Sequence, residues 1–291
     1  MKKIIVLLLA AGFFLSSCSA AKNPDEAVLS STDWGWKIVG GSQIEYGWAS
    51  VNVFESVQSI SLVRFPLGAY TVSVVNAEGA DAAVTSTLGE RNGALAAING
   101  SFFNMQTLYS EAFLKDEGLV TCSSTKDSPY RSNGLLLMDG ANVDITLADS
   151  LSYSSVTSAR HEAIATGPVL IDEGAIVNYA PSSEEGGSID PKYYKKFFDH
   201  RHPRTLLGYT SDGWVYFVVV DGRFPSEGEG MTVSELQTLS RALGLYESIN
   251  LDGGGSSTLW TSEEGVINHP YDNKVFDHEG ERIVPNVIIV K

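Results

Sequence analysis

"TLLGYTSDGWVYFVVVDGR", Thr205 to Arg223, decides the fold class. Two runs rich in β-branched and aromatic residues meet at Asp212-Gly213, a pair that favours the backbone torsions of a tight hairpin turn. The stretch therefore predicts two antiparallel strands. Outward from it the same grammar repeats: "GPVLIDEGAIV" turns at Glu173-Gly174, and "GLLLMDGANVDITL" turns at Asp139-Gly140. "SISLVRF" (Ser59–Phe65) and "AYTVSVVNA" (Ala69–Ala77) are further predicted strands, and "SINL" and "PNVIIV" read as buried ones. Helices are fewer. "DAAVTSTLGERNG" (Asp81–Gly93) predicts a helix closed by Asn92-Gly93. In "TVSELQTLSRALG", Thr232 and Glu235 fit a capping box, Val233, Leu236, Leu239 and Leu243 recur at helical spacing, and Gly244 is the stop. The expected fold is α+β: one domain with a mixed, largely antiparallel sheet and two or three helices. "GGSQIEYGW" and "SSEEGGSIDPKYYKKFFDHRHP" read as exposed loops, and Asp190–Pro203 within the second is a candidate lid.

The chain has 291 residues, 43% of them hydrophobic, enough for a sizeable core. Its formal charge of −15 argues against nucleic acid as a partner, because a polyanion is repelled. A locally basic pocket for one phosphate remains compatible with that charge. "MKKIIVLLLAAGFFLSSC" has Lys2 and Lys3, a short apolar run and then small residues, the pattern of an export signal. Its end, "LSSC", resembles a bacterial lipoprotein cleavage box. The expectation is a signal peptide over 1–17, lipid on Cys18, a tether over 18–33 and a domain over 34–291. That locates the protein outside the cytoplasm, lipid-anchored to the cell envelope. Cys122 then has no disulfide partner, and the sequence around it marks it as inert rather than nucleophilic.

Polar residues stand at the ends of apolar runs. Asn99 follows "ALAAI", Arg204 and Thr205 open "TLLGY", Asp221 follows "WVYFVVV", and Asp252 follows "SINL". A sheet that presents these ends together makes a concave polar site. "NLDGGGSSTLW" (Asn250–Trp260) adds three consecutive glycines, which let backbone N–H groups approach an anionic ligand, and the hydroxyls of Ser256 and Ser257. The stretch is not a P-loop, which needs Gly-Lys-Ser/Thr, nor a serine-hydrolase elbow, which needs Gly-x-Ser-x-Gly. The five histidines form no zinc motif, so no metal and no cofactor is expected.

Together "AAINGSFF", Gly167-Pro168, "HPRTLLGY", "VVVDGR", "GMTVSELQTLSRALG", "INLDGGGSSTL" and "ERIVPNVIIV" resemble, in that order, the phosphodiester glycosidase family. The resemblance covers residues 94–291. It implies a hydrolase that cleaves a glycosyl phosphodiester and releases an N-acetylglucosamine-like sugar from a phosphate monoester. Asn99, Gly100, Arg204, Thr205, Asp221, Arg223, Asp252, Gly253, Gly254, Ser256, Ser257 and Arg282 fall on its pattern.

The chemistry suits those residue types. A phosphate monoester is a good leaving group, so general-acid help matters less than in ordinary glycosidases. A guanidinium binds phosphate in two places at once, which makes Arg204 and Arg282 the phosphate candidates. Asp252 is the first choice for the carboxylate at the anomeric carbon, as nucleophile, base or stabiliser, and Asp221 is the second. Two other functions remain open at this level. One is a non-catalytic envelope glycan-binding or polysaccharide-assembly protein. The other is a metal-assisted phosphodiesterase with an ion on Asp221 and Asp252.

Overall fold

In the computed structural model, which describes residues 23–123 and 131–291, the Thr205–Arg223 stretch is a hairpin at the centre of an eight-stranded sheet. Arg204–Thr210 pairs with Trp214–Val220, and Gly213 takes a positive φ of 91° in the turn. The sheet runs in the order Lys37–Ile38, Glu45–Val53, Ser56–Pro66, Trp214–Val220, Arg204–Thr210, Leu245–Asn250, Val169–Asp172, Ala175–Ile176. The run "VYFVVV" is apolar throughout because both faces of its strand are covered. Val215, Phe217 and Val219 enter one core, and Tyr216, Val218 and Val220 enter another.

The first core is shared with two five-stranded sheets. One has the order Leu119–Cys122, Leu114–Asp116, Glu162–Thr166, Gly134–Asp139, Asn142–Leu147. The other has the order Gly265–Val266, Leu259–Thr261, Ala96–Asn99, Asn286–Val290, Val72–Asn76. Ile98, Leu136, Ile164 and Ile288 meet Phe217 there, and Phe65 packs edge-on to Phe217 at 5.3 Å. The second core lies under helix Val233–Ala242, whose Val233, Leu236 and Leu239 are buried. Thr232 and Glu235 close the capping box reciprocally, as their spacing predicts.

Four readings change. Among the described residues every pairing between strands is antiparallel, so the sheet component is not mixed; a single parallel bridge joins Pro181 to Ile189. The helix expected over Asp81–Gly93 is Thr85–Arg91, because Gly79–Asp81 forms a 3₁₀ turn and Ala83–Val84 pairs as a strand with Ile283–Val284. "GGSQIEYGW" is not an exposed loop, since Glu45–Val53 pairs along Ser56–Pro66 and buries Ile44 and Tyr46. The stretch expected to be a tether contains helix Pro24–Ser30. Asn23 caps it, Leu29 enters the second core, and Glu26 meets Arg241 at 3.3 Å. Its polar composition hid one buried leucine. The export signal and Cys18 lie outside the described residues.

Candidate active site

Three strand ends are tied together at one point. Asn99 ends Ala96–Asn99, Thr205 begins the hairpin, and Asp252 lies two residues beyond Leu245–Asn250. Asn99 is fully buried. Its Oδ1 accepts from Thr205 Oγ1 at 2.9 Å and from the Thr258 amide at 3.1 Å, and its Nδ2 donates to the Asp252 carbonyl at 2.6 Å. The Asp252 amide donates to the Gly100 carbonyl at 3.0 Å. Asn99, Gly100 and Thr205 therefore fix the backbone of Asp252 and do not line the cleft beside it. Their polarity is spent inside the protein, where an open hydrogen bond is costly.

The three glycines after Asp252 answer three separate constraints. A Cβ on Gly253 would stand 2.7 Å from the Pro203 carbonyl oxygen. Gly254 has a φ of +65°, which disfavours side chains, and faces the Arg223 guanidinium. A Cβ on Gly255 would collide with Asp272 Oδ1 and Arg282 Nη2 at 1.9 and 2.1 Å. Only Gly253 and Gly254 line the cleft; Gly255 is there for the ion pair packed behind it.

The cleft has a volume of about 230 Å³ and is lined by Phe102, Arg131, Tyr193, Lys196, Phe197, His202, Pro203, Arg204, Arg223, Asn250, Asp252, Gly253 and Gly254. Asp252 is its single carboxylate. Oδ2 accepts from Ser256 Oγ at 2.7 Å and Oδ1 from the Gly253 amide at 3.0 Å. Burial pushes its carboxyl up to about 6, against the opposing pull of Ser256, Arg131 and Arg282. The group is thus ionised at neutral pH yet poorly solvated, a useful state for a base or nucleophile.

The cations divide by what they hold. Arg204 is buried, and its guanidinium donates to the carbonyls of Met231 (2.7 Å), Phe197 (2.6 Å) and His200 (3.1 Å) while lying over the Phe197 ring. Burial lowers its pKa to about 9, so it stays charged at neutral pH. Its main work is to staple the Asp190–Pro203 segment to the hairpin. Arg223 differs. It has a φ of +69°, uncommon for a side-chain-bearing residue, and its guanidinium lies 5.0 Å from the Tyr271 ring centroid. Its backbone amide donates to the Glu229 carbonyl at 3.3 Å, but its guanidinium has no hydrogen-bond or ion-pair partner among the described residues. Lys196 Nζ likewise has none. Arg282 is held by Asp272 through two 2.7 Å bonds and lies outside the lining.

Asp221 also lies outside the lining. It is 1% exposed, and four donors occupy its oxygens: Ser59 Oγ at 2.7 Å, Asn268 Nδ2 at 3.0 Å, the His269 amide at 2.8 Å and His269 Nδ1 at 2.9 Å. It anchors the start of the 268–282 segment, which carries Tyr271 under Arg223 and Asp272 beside Arg282. Ser256 acts on Asp252 itself, and Ser257 is buried with its carbonyl bonded to Asn268.

Tyr193, Lys196 and Phe197 are lining residues that no motif marks, and His202 opens the motif "HPRTLLGY" without having been singled out. Their signal is the aromatic and basic composition of Asp190–Pro203, where helical turns Pro191–Tyr193 and Tyr194–Phe198 fold onto the cleft. His202 Nε2 donates to the Lys196 carbonyl at 3.0 Å, and burial lowers its pKa, so the imidazole is neutral. Phe102, Arg131 and Asn250 are three more lining residues missed from sequence.

The phosphodiester glycosidase family model matches residues 92–291, more than half of the chain. The chain belongs to that family. Mouse N-acetylglucosamine-1-phosphodiester alpha-N-acetylglucosaminidase is 25% identical over 171 residues, covering 57% of this chain and 32% of the mouse protein. An uncharacterized SPbeta prophage-derived protein of Bacillus subtilis, YomE, is 34% identical over 89 residues, 31% of this chain and 13% of that protein. The chain thus spans a third or less of the length of these relatives. Among solved structures, the zebrafish N-acetylglucosamine-1-phosphodiester alpha-N-acetylglucosaminidase catalytic domain, auto-inhibited by its pro-peptide, shares the fold at TM-score 0.67 and 17% identity, over 89% of this chain and 86% of that one. A hypothetical protein from Synechocystis shares it at TM-score 0.59 and 15% identity, over 85% and 62%. For a phosphodiester glycosidase domain, the family pattern now divides into groups that line the cleft and groups that hold those in place.

Proposed function

We propose that this protein is a hydrolase of glycosyl phosphodiesters, releasing a sugar of the N-acetylglucosamine type from a phosphate monoester. One observation carries the reading: a chain of net charge −15 gathers four cations, Arg131, Lys196, Arg204 and Arg223, around one carboxylate in one cleft. Family membership and the enzyme names of the mouse and zebrafish relatives support it. Arg223 and Lys196 are the cations with no internal partner, so they hold the phosphate oxygens. Asp252 stands at the anomeric carbon as base, nucleophile or stabiliser of the developing positive charge.

Water oxygen bonds to the anomeric carbon, the bond from that carbon to the phosphate oxygen breaks, and the phosphate monoester leaves with the bonding pair. The water proton passes to Asp252 or to solvent. Asp221 supplies no second carboxylate in the cleft, consistent with a leaving group that needs little acid help. Export and attachment to the cell envelope through a lipidated Cys18 belong to the same proposal, and labelling with a radioactive fatty acid that Cys18→Ser abolishes is the expected result.

The test is hydrolysis of sugar-1-phosphodiesters, N-acetylglucosamine included, in ¹⁸O-water by the chain lacking its first 18 residues. Label in the released sugar, with turnover lost in Asp252→Asn, is expected. Label in the phosphate would mean P–O cleavage, and tight glycan binding without turnover would make the protein a binder.

A further inference from the structure

A second cleft, about 280 Å³ and separate from the one described above, is lined by Trp48, Glu264, Val266, Ile267, His269 and His278. Its two imidazoles share an unusual setting. His269 Nδ1 meets Asp221 Oδ2 at 2.9 Å, and His278 Nδ1 meets the Asn268 carbonyl at 2.7 Å. Both partners are acceptors, so each Nδ1 carries a proton, and Nε2 is the nitrogen that each neutral imidazole would offer as a lone pair. The two nitrogens of an imidazole point in nearly opposite directions. With Nδ1 of His269 turned inward to buried Asp221, its Nε2 faces the cleft. Neither Nε2 has a partner among the described residues.

The rings are neighbours, with centroids 4.5 Å apart, and Phe276 stacks on His269 at 3.7 Å, fixing that ring's plane. Glu264 stands at the same cleft, where Lys37 and Tyr46 both bond its Oε2 and leave Oε1 open. An imidazole whose Nδ1–H is held by a carboxylate or carbonyl, with Nε2 exposed, is the arrangement that metal-ligating histidines adopt. Among the described residues no three ligating side chains converge on one point, so the protein offers a two-nitrogen chelate, with water filling the remaining positions.

We propose that His269 and His278 bind one divalent transition-metal ion of the zinc class through their Nε2 atoms. Imidazole nitrogen selects such ions over magnesium or calcium. With ring centroids 4.5 Å apart, the two imidazoles are close enough for one ion to bridge their Nε2 atoms at the roughly 2.1 Å that zinc requires. The ion closes residues 269–278 into a loop, and this segment carries Tyr271, on which Arg223 lies, and Asp272, which holds Arg282. Its role is structural: it secures the segment beside the active cleft and takes no part in the reaction. The site does not depend on the proposed hydrolase activity.

The experiment is calorimetric titration of untagged, chelator-stripped protein with zinc chloride, paired with thermal unfolding with and without zinc. The expected result is one ion per chain, with unfolding shifted upward by zinc. His278 is exposed, so His278→Ala leaves the fold intact. It should weaken binding by at least the roughly 10–100-fold that losing an anchoring partner costs, and abolish the thermal shift. Cys122→Ser should leave both unchanged. No saturable heat up to millimolar zinc would overturn the proposal. So would zinc binding of equal strength in His278→Ala, which would assign the ion to another pair such as His200 and His202.

Discussion

Asp252 and Asp221 have the same sequence signature, an aspartate at the end of an apolar run followed by glycine, and the fold makes opposite use of them. Asp221 is surrounded by four donors from Ser59, Asn268 and His269, so its charge is fully engaged inside the protein. Asp252 receives only a serine hydroxyl and its own neighbour's amide, and it lines a cleft. Burial without enough donors raises its carboxyl to about 6. The difference is one of supply. A strand end is left open to a ligand where the surrounding chain withholds hydrogen bonds, and is structural where the chain furnishes them.

Substituting each aspartate breaks the comparison most directly. Asp252→Asn should lower kcat for glycosyl phosphodiester hydrolysis by about 10²–10⁴-fold, the usual worth of a positioned acid-base group. Its stability should not fall, and at pH 7 it should rise by roughly 1–2 kcal/mol. The sign follows from linkage. The folded pKa lies above the ordinary 3.8, so the folded state holds a proton that the unfolded state has lost, and stability falls as pH climbs from about 4 to about 6. Activity should rise later, centred near pH 6, as the folded carboxylate forms. Denaturant unfolding and initial rates at pH 4, 5, 6 and 7 check both, and a parent protein equally stable across that range would rule out the poorly solvated carboxylate. Asp221→Asn should do the reverse in character: a loss of about 3–5 kcal/mol, because donors are left around an uncharged group, with activity falling as the 268–282 segment loosens. If Asp221→Asn unfolds like the parent, Asp221 is not the anchor described.

The hairpins, the capped helix and the all-round apolar strand were legible because their signals are local. Asp139-Gly140, Glu173-Gly174 and Asp212-Gly213 each turn where turn chemistry says they do. Helix Pro24–Ser30 was hidden because its one buried apolar residue, Leu29, makes no pattern, and the other residue it buries is the charged Glu26. At the site, the glycines and Asp252 stood out, whereas the difference between Arg204 and Arg223 did not. Both stand beside strand ends in family motifs, and only tertiary contacts decide that one guanidinium is spent on three carbonyls while the other lies open on Tyr271. Lys196 was unmarked because a lysine in a loop has no sequence signature of what it faces.

The two arginines sharpen the comparison at a smaller scale. Arg223→Gln should raise KM for a phosphodiester by about tenfold, with stability within roughly 0.5 kcal/mol of the parent, because no internal partner is lost. Arg204→Gln should cost about 2–4 kcal/mol of stability through three stranded carbonyls, with kcat and KM both affected as Asp190–Pro203 loses its staple. Steady-state kinetics and urea unfolding of the pair separate the two. An Arg204→Gln protein that changed KM alone would make Arg204 a phosphate ligand.

The smallest effect divides the glycine triplet. Gly255→Ala places a methyl where Asp272 and Arg282 pair, and that pair is side-chain rather than backbone. The ion pair moves aside, so the cost should be about 1–2 kcal/mol with nearly normal kcat. Gly253→Ala meets the Pro203 carbonyl instead, at 2.7 Å, and backbone cannot step away without shifting both Pro203 and Asp252. It should lower kcat by about tenfold for a stability loss of similar size, since displacing a positioned group by a fraction of an ångström weakens its alignment. Thermal unfolding beside kcat for both variants gives the reading. Equal losses of kcat would mean that the whole triplet, and not its first two members, shapes the ground on which the substrate sits.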